Sequence, residues 1–301
     1  MLIVPAAHAQ DKNYIKPMQK LGLPSLTGAV SAYYSPGHRE HAQKLQAAIE
    51  DMNAFYKERL GVQANVTLAL LDSRDWTKVT GNPYGLPNVN GQPFVVFMPA
   101  TSDSPVFELM KARQEAVPAG QLQSFLNDNY TTFEAVASQY VDLIGFHELG
   151  HTLTRNFGID PKDHWLDEFL ATYWSYAYIS ERQPEWRQLF DLLGRPSKVR
   201  PKNTSLEDFE RLYMNVDDYG WYQGMFEARV REIYPVLGFK FLTDLKRIFP
   251  QIHGSTMGTD EPLDRRMKPE QVVEQLETIA PGFKVWAVEF SSGLQPAATA
   301  E

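Results

Sequence analysis

Residues 133–151 read FEAVASQYVDLIGFHELGH, and this stretch decides how the rest of the chain is interpreted. Apolar residues recur along it at the three- and four-residue spacing of one helix face. Thr131 and Glu134 have the spacing of a capping box, which predicts that a helix begins there. The apolar stripe runs directly into His147, so the pattern predicts that the histidines at its end face inward.

The end of this segment carries two histidines four residues apart, His147 and His151, with Glu148 between them. On a helix, side chains at this spacing lie on the same face, within reach of one ion. Neutral imidazoles are good zinc ligands, and a carboxylate beside the ion can take a proton from a water molecule. Buried imidazoles and a buried carboxylate are costly without partners, and a metal ion supplies one. The motif therefore predicts a zinc site.

A catalytic zinc ion usually has three protein ligands, and the sequence offers two candidates for the third. The chain has no cysteine, so this ligand must be His, Asp or Glu. A metzincin needs a histidine six residues after His151, but Phe157 stands there, and that arrangement is excluded. A second helix, apolar nearly all round and therefore buried, is predicted over residues 165–179. It contains Asp167 and Glu168. Because the helix is apolar on both sides, the position of these residues on its faces does not show which of them is the ligand.

HELGH followed by WLDEFLATY at residues 165–173 resembles the gluzincin metallopeptidases, the clan of thermolysin and aminopeptidase N. The resemblance is specific over residues 140–180 and looser elsewhere. In that family a glutamate of the second helix is the third zinc ligand, so the resemblance implies this role for Glu168. It also implies a zincin-like catalytic domain with Zn²⁺ as cofactor, Glu148 as general base, and a peptide or protein as substrate.

The stretch from Tyr219 to Gly224 precedes a predicted helix, as does the Y-x-K-G segment of aminopeptidase-N-like enzymes. In those enzymes the tyrosine stabilises the oxyanion of the tetrahedral intermediate. Here Trp221 stands at the strict tyrosine position and Gln223 replaces the lysine. The resemblance therefore implies that Tyr222 or Tyr219 would stabilise the oxyanion. A phenol can donate to an oxyanion, but clustered aromatic residues are often core, and both interpretations stay open.

Residues 94–98, FVVFM, predict a strand that ends at Pro99. Gluzincins place an edge strand here, and an edge strand can pair with the backbone of an extended peptide. An ordinary buried strand is the alternative that this apolar run allows. Aminopeptidases of the clan carry G-x-M-E-N on that strand, and its glutamate binds the free amine of the substrate. This chain has no acidic residue from Phe97 to Ala100, so aminopeptidase specificity is not supported.

Strands are predicted early in the chain and helices late, which indicates an α+β fold. We expect an irregular lead-in over 1–28, a lobe with a mixed sheet and the HELGH helix over 29–158, and a mainly helical lobe over 159–301. Ser35-Pro36 predicts a helix start and Gly61 its end. The other predicted elements are strands at 29–34 and 66–70, a loop at 81–93, helices at 206–214, 223–234, 239–248 and 269–279, and a closing segment at 283–290.

The composition excludes several classes of protein. Of 301 residues, 43% are hydrophobic, which is enough for a core and rules out a disordered chain. A net charge of −8 without a block of basic residues argues against nucleic acid as a partner. No apolar run approaches the roughly 20 residues that a membrane-spanning helix needs.

The remaining features are less specific. Ala7-His8-Ala9 after a short apolar run is similar to the end of a secretory signal peptide, so we expect a periplasmic or secreted protein, with a cytoplasmic location still open. His41 lies in a polar stretch and is expected to be solvated. Two alternatives to a peptidase also stay open: a non-catalytic binding protein with a zincin fold, and a zinc hydrolase that acts on a non-peptide bond.

Overall fold

The computed structural model describes residues 12–196, 198, 201–213, 219–253 and 256–292. Ala7-His8-Ala9, the basis of the expected export signal, lies outside these residues. The described residues form thirteen α-helices and a mixed sheet of five strands, which confirms the α+β class. Among the described helices, none combines the length and the apolar character needed to cross a membrane.

In the described part of the chain, every strand lies before residue 100. In chain order they are α1 (Ile15–Lys20), β1 (Ser25–Leu26), β2 (Ser31–Tyr34), α2 (Arg39–Leu60), β3 (Val66–Leu71), α3 (Ser73–Thr80), β4 (Asn88–Asn90), β5 (Phe94–Pro99), α4 (Val106–Ala116), α5 (Ala119–Asp128), α6 (Phe133–Phe157), α7 (His164–Arg182), α8 (Pro184–Leu193), α9 (Leu206–Leu212), α10 (Tyr219–Leu237), α11 (Phe239–Ile248), α12 (Pro269–Glu277) and α13 (Phe283–Ser292).

The chain divides into two compact units. The first comprises residues 1–111 and 125–156, and it contains the sheet, α1 to α3, and α6 up to Asn156. The second comprises residues 112–124 and 157–301, and it contains α7 to α13. The segment 112–124 precedes α6 but belongs to the second unit. No pattern in the sequence predicts this assignment.

The sheet of the first unit has the strand order β1-β2-β3-β5-β4. Strands β2, β3 and β5 run parallel, while β1 and β4 pair antiparallel with their neighbours at the two edges. Every residue of β3 is buried, as expected for a central strand that is covered on both faces.

The strand predicted at residues 94–98 forms as β5, but it is not an edge strand. It pairs with β3 on one side and with β4 on the other, where Val89 lies opposite Val96. The edge strand on this side of the sheet is β4, which lies inside the region predicted to be a loop. Its sequence, Asn-Val-Asn, is short and mostly polar and does not by itself favour a strand. The strand forms because these residues pair with the neighbouring β5.

The helix predicted to begin at Ser35-Pro36 begins instead at Arg39, and it ends at Gly61 as predicted. The hydroxyl of Ser35 donates to Asp75 Oδ2 at 2.9 Å and accepts from the backbone N–H of Asp72 at 3.0 Å. This hydroxyl therefore links the end of β2 to the start of α3 and does not cap α2.

The N-terminal cap of α6 differs by one residue from the prediction. The backbone N–H of Ala135 donates to the hydroxyl of Thr132, not to that of Thr131, at 3.4 Å. Further along α6, a Cβ atom at Gly145 would lie 3.2 Å from Met98 Sδ and 3.7 Å from Leu45 Cδ1. The missing side chain therefore lets α6 pack closely against β5 and α2 immediately before the HELGH motif.

The sequence led us to expect a solvated side chain at His41, and this prediction is wrong. Its Nε2 lies 2.7 Å from Asp142 Oδ1, so the pair links α2 to α6 within the first unit. The partner is about 100 residues away in the sequence, and only the packing of the two helices brings it into range.

The second unit has α7 at its centre. All residues from Trp165 to Ile179 are buried, which confirms the burial predicted from a helix that is apolar nearly all round. The ring of Phe169 contacts those of Phe241, Phe283 and Trp286, which come from α11 and α13. Helices α11 and α13 thus pack against α7.

Candidate metal centre

The HELGH motif lies in the last part of α6, where the helix places His147, Glu148 and His151 together. One ligand-type atom from each of the three side chains can be chosen so that all lie within 4.8 Å of one another. The two imidazole rings are 4.9 Å apart between centroids and meet edge to face at 84°. The motif therefore brings its polar groups together on a single helical turn, as the sequence predicts.

Burial differs between the three side chains. The two imidazoles are half-buried, whereas Glu148 is 8% exposed. Two imidazoles beside a carboxylate form a donor set that suits Zn²⁺, so these residues fit the ion that the sequence predicts. A carboxylate in such a poorly solvated position can act as a base on a group held beside it.

The third predicted ligand, Glu168, lies on α7 in the second unit, one turn after the start of that helix. The start is fixed by two carboxylates. Asp163 accepts from the backbone N–H of Leu166 at 3.1 Å, and Glu210 accepts from that of Trp165 at 2.7 Å. Burial, and then the neighbouring charge of Glu210, raise the pKa of Asp163. These bonds satisfy N–H groups of the first turn and fix where α7 begins.

Glu168 is 3% exposed, and both of its carboxylate oxygens accept hydrogen bonds. The hydroxyl of Tyr213 donates to Oε1 at 2.6 Å, and the side-chain amide of Gln223 donates to Oε2 at 2.7 Å. Asp167, the candidate that the resemblance set aside, lies next to it on α7 and is also buried. The second unit thus places Glu168 at the centre of this set of hydrogen bonds.

The two candidate catalytic tyrosines have different surroundings. The hydroxyl of Tyr219 accepts from Gln223 Nε2 at 2.9 Å, so it belongs to the hydrogen-bond network of Glu168. The hydroxyl of Tyr222 donates to the backbone carbonyl of Asn203 at 2.6 Å. The ring of Tyr222 is fully buried and contacts aromatic neighbours, including Phe209 at 5.0 Å.

Tyr213 is a residue of this network that the sequence did not indicate. Its ring stacks on His164 with centroids 3.9 Å apart and planes 11° apart, and burial raises the pKa of its hydroxyl well above the usual value. It follows Phe209 at helical spacing and therefore reads as one more aromatic core residue. Its contact with Glu168, 45 positions earlier, has no local signal.

The comparisons with known proteins add no relative. No protein-family model, curated protein or solved structure matches the chain.

Proposed function

We propose that this chain is a zinc-dependent metallopeptidase of gluzincin type with a zincin-like catalytic domain. His147, His151 and Glu168 bind the ion, and Glu148 is the general base. The observation that carries the proposal is the clustering of His147, Glu148 and His151 within 4.8 Å on one helical turn. The resemblance of HELGH and WLDEFLATY to the gluzincin pattern supports Glu168 as the third ligand.

Two features of the surroundings support a site rather than a chance match of the motif. Glu148 is buried, and in such poorly solvated surroundings a carboxylate interacts strongly with a cation or a proton donor held beside it. The close packing of Gly145 on Met98 holds this turn of α6 firmly against the sheet. A metal site needs such rigid support, because small displacements of its ligands weaken binding.

The chemistry that follows is hydrolysis with proton transfer by Glu148. A bound zinc ion would polarise the substrate carbonyl and make water a better nucleophile at neutral pH. Glu148 takes the proton of the attacking water at a carboxylate oxygen. It then delivers this proton to the leaving nitrogen, so that the amine departs uncharged. Tyr219, which lies in the Glu168 network, remains a candidate donor to the oxyanion.

A peptide substrate is supported by the edge of the sheet in the same unit. Among the strands of the described residues, β4 lies at one edge of the sheet and pairs only with β5. An extended peptide can add to such an edge through backbone hydrogen bonds. The substrate-binding strand that we propose is therefore β4. It replaces β5, the segment that the sequence indicated.

The variant Glu148→Gln tests the proposal. We expect it to retain stoichiometric zinc and to lose peptidase activity by about a hundred-fold or more, because the amide cannot accept the proton. Glu134→Gln is the matched control, since it makes the same change in the exposed first turn of the same helix. Zinc content is measured by elemental analysis, and activity on a library of quenched peptides.

Two results would overturn the proposal: a wild-type protein without stoichiometric zinc, or a Glu148→Gln variant as active as the wild type. Zinc binding with hydrolysis of esters or phosphoesters but not of peptides would show the non-peptide hydrolase instead. Zinc binding with no turnover of any substrate class would show the binding protein.

A further inference from the structure

We infer that Tyr213 and Gln223 are positioning residues that hold the two oxygens of the Glu168 carboxylate and thereby set its affinity for zinc. This inference rests on the proposed function, because it takes Glu168 as the third ligand. Nothing in the sequence motifs of the site points to Tyr213, and the resemblance gives Gln223 only as the replacement of a lysine.

The carboxylate of Glu168 is held at both of its oxygens. Tyr213 and Gln223 donate to different oxygens of Glu168, at 2.6 and 2.7 Å. Such short distances are typical of hydrogen bonds to a charged acceptor. One donor on each oxygen fixes both the plane and the rotation of the group. Because each carboxylate oxygen can accept at two positions, these bonds are compatible with a metal ion on the same carboxylate.

Each of these two donors is itself held by a second contact. Gln223 Nε2 also donates to the hydroxyl of Tyr219 at 2.9 Å, so the two N–H groups of this amide have two acceptors. The amide nitrogen, not its oxygen, must therefore face the carboxylate. The ring of Tyr213 is fixed by its stacking on His164. The carboxylate thus has two donors whose own orientations are fixed.

Hydrogen bonds to a metal ligand orient it before the ion arrives, and their removal typically lowers metal affinity by about ten- to a hundred-fold. A residue that merely satisfies a buried charge would change the stability of the fold and leave zinc affinity unchanged in the folded protein. The two roles therefore give different results in a zinc titration.

The test uses Tyr213→Phe and Gln223→Met in the full-length protein. Each removes the donor to one oxygen of Glu168 with little change in volume. Zinc affinity is measured by competition with a chromogenic chelator, and the expected result is a loss of about ten- to a hundred-fold in each variant. Tyr173→Phe is the matched control, because its hydroxyl, on the same helix as Glu168, donates to the carbonyl of Gly238 at 2.7 Å.

The outcomes separate this inference from the proposed function. If the wild type binds no zinc, the proposed function fails. If the wild type binds zinc, His147→Ala abolishes binding, and both test variants bind as tightly as the wild type, only the inference fails. Circular dichroism establishes that a variant is folded, and Gln223→Met decides the matter if Tyr213→Phe does not fold.

Discussion

The imidazole of His41 lies 2.7 Å from the carboxylate of Asp142, on the helix that carries the HELGH motif. The hydrogen bond to Asp142 raises the pKa of His41 above its usual value, although burial acts in the opposite direction. The protonated imidazole and the carboxylate form a partly buried ion pair. This pair ties α2 to the middle of α6, five residues before His147.

The stabilisation from this pair is expected to depend on pH. A group whose pKa is raised in the folded state contributes stability that is complete below its unfolded pKa, about 6.5, and disappears as the pH rises through the folded value. We expect His41→Ala to lower the free energy of unfolding by about 0.5–1 kcal/mol near pH 5.5, and by clearly less near pH 9. Urea denaturation at the two pH values measures the difference.

The control for this experiment is His38→Ala, which removes an imidazole three residues away that is not part of the pair. It is expected to show no comparable dependence on pH. A cost for His41→Ala that is the same at both pH values would mean that the ion pair does not stabilise the fold.

At the scale of elements, Gly224 shows why α10 lies where it does. A Cβ atom at this position would lie 2.3 Å from the backbone nitrogen of Pro196 and 2.4 Å from the carbonyl carbon of Arg195. The obstacle is backbone and cannot rotate away. This glycine closes the stretch that resembles the Y-x-K-G segment, and one turn before it the same helix presents Tyr219.

Gly224→Ala is therefore expected to destabilise the protein by about 1–3 kcal/mol, the usual cost of forcing extra volume into a packed contact. Gly120→Ala provides the opposite case, because this glycine lies in α5 and a Cβ there meets nothing within 4 Å. It is expected to stabilise by about 0.5 kcal/mol or less through helix propensity, because Gly120 lies in the first turn of α5, where propensity counts for less than in the helix interior. Thermal denaturation of both variants shows whether the first lowers stability and the second raises it. Equal changes in stability would contradict the packing argument.

The bounds of the elements show which signals in the sequence are reliable. Helix α11 begins and ends at the residues predicted, because its apolar stripe is complete over residues 239–248. The predicted start of α2 is wrong because the hydroxyl of Ser35 does not cap this helix but forms hydrogen bonds with Asp72 and Asp75. Strand β4 was missed because backbone pairing with β5 forms it, and backbone pairing has no side-chain signature.

At the scale of the whole molecule, zinc binding and stability are expected to be coupled. An ion that binds only the folded state at about a hundred times its dissociation constant adds about 2.7 kcal/mol to the free energy of unfolding. For a chain of 301 residues, that shift corresponds to about 4 °C in the melting temperature. Calorimetry of the zinc-loaded protein before and after chelation measures it.

The double variant His147→Ala/His151→Ala is the reference for this experiment, because it lacks both ligands of the HELGH turn. Its melting temperature is expected to be the same with and without the chelator. A chelator effect of equal size in the double variant would mean that zinc stabilises the protein through other residues.

The sequence by itself determined the α+β class, the helix with its two histidines and Glu148 on one turn, and the burial of α7. These features depend on the spacing of residues along a single helix or strand, and that spacing is fixed by backbone geometry. Only the tertiary structure decided that β5 is an inner strand, that Tyr213 and Gln223 bind Glu168, and that His41 pairs with Asp142. These contacts join residues about 50 to 100 positions apart. Local periodicity does not report such contacts, since they exist only once whole elements have packed.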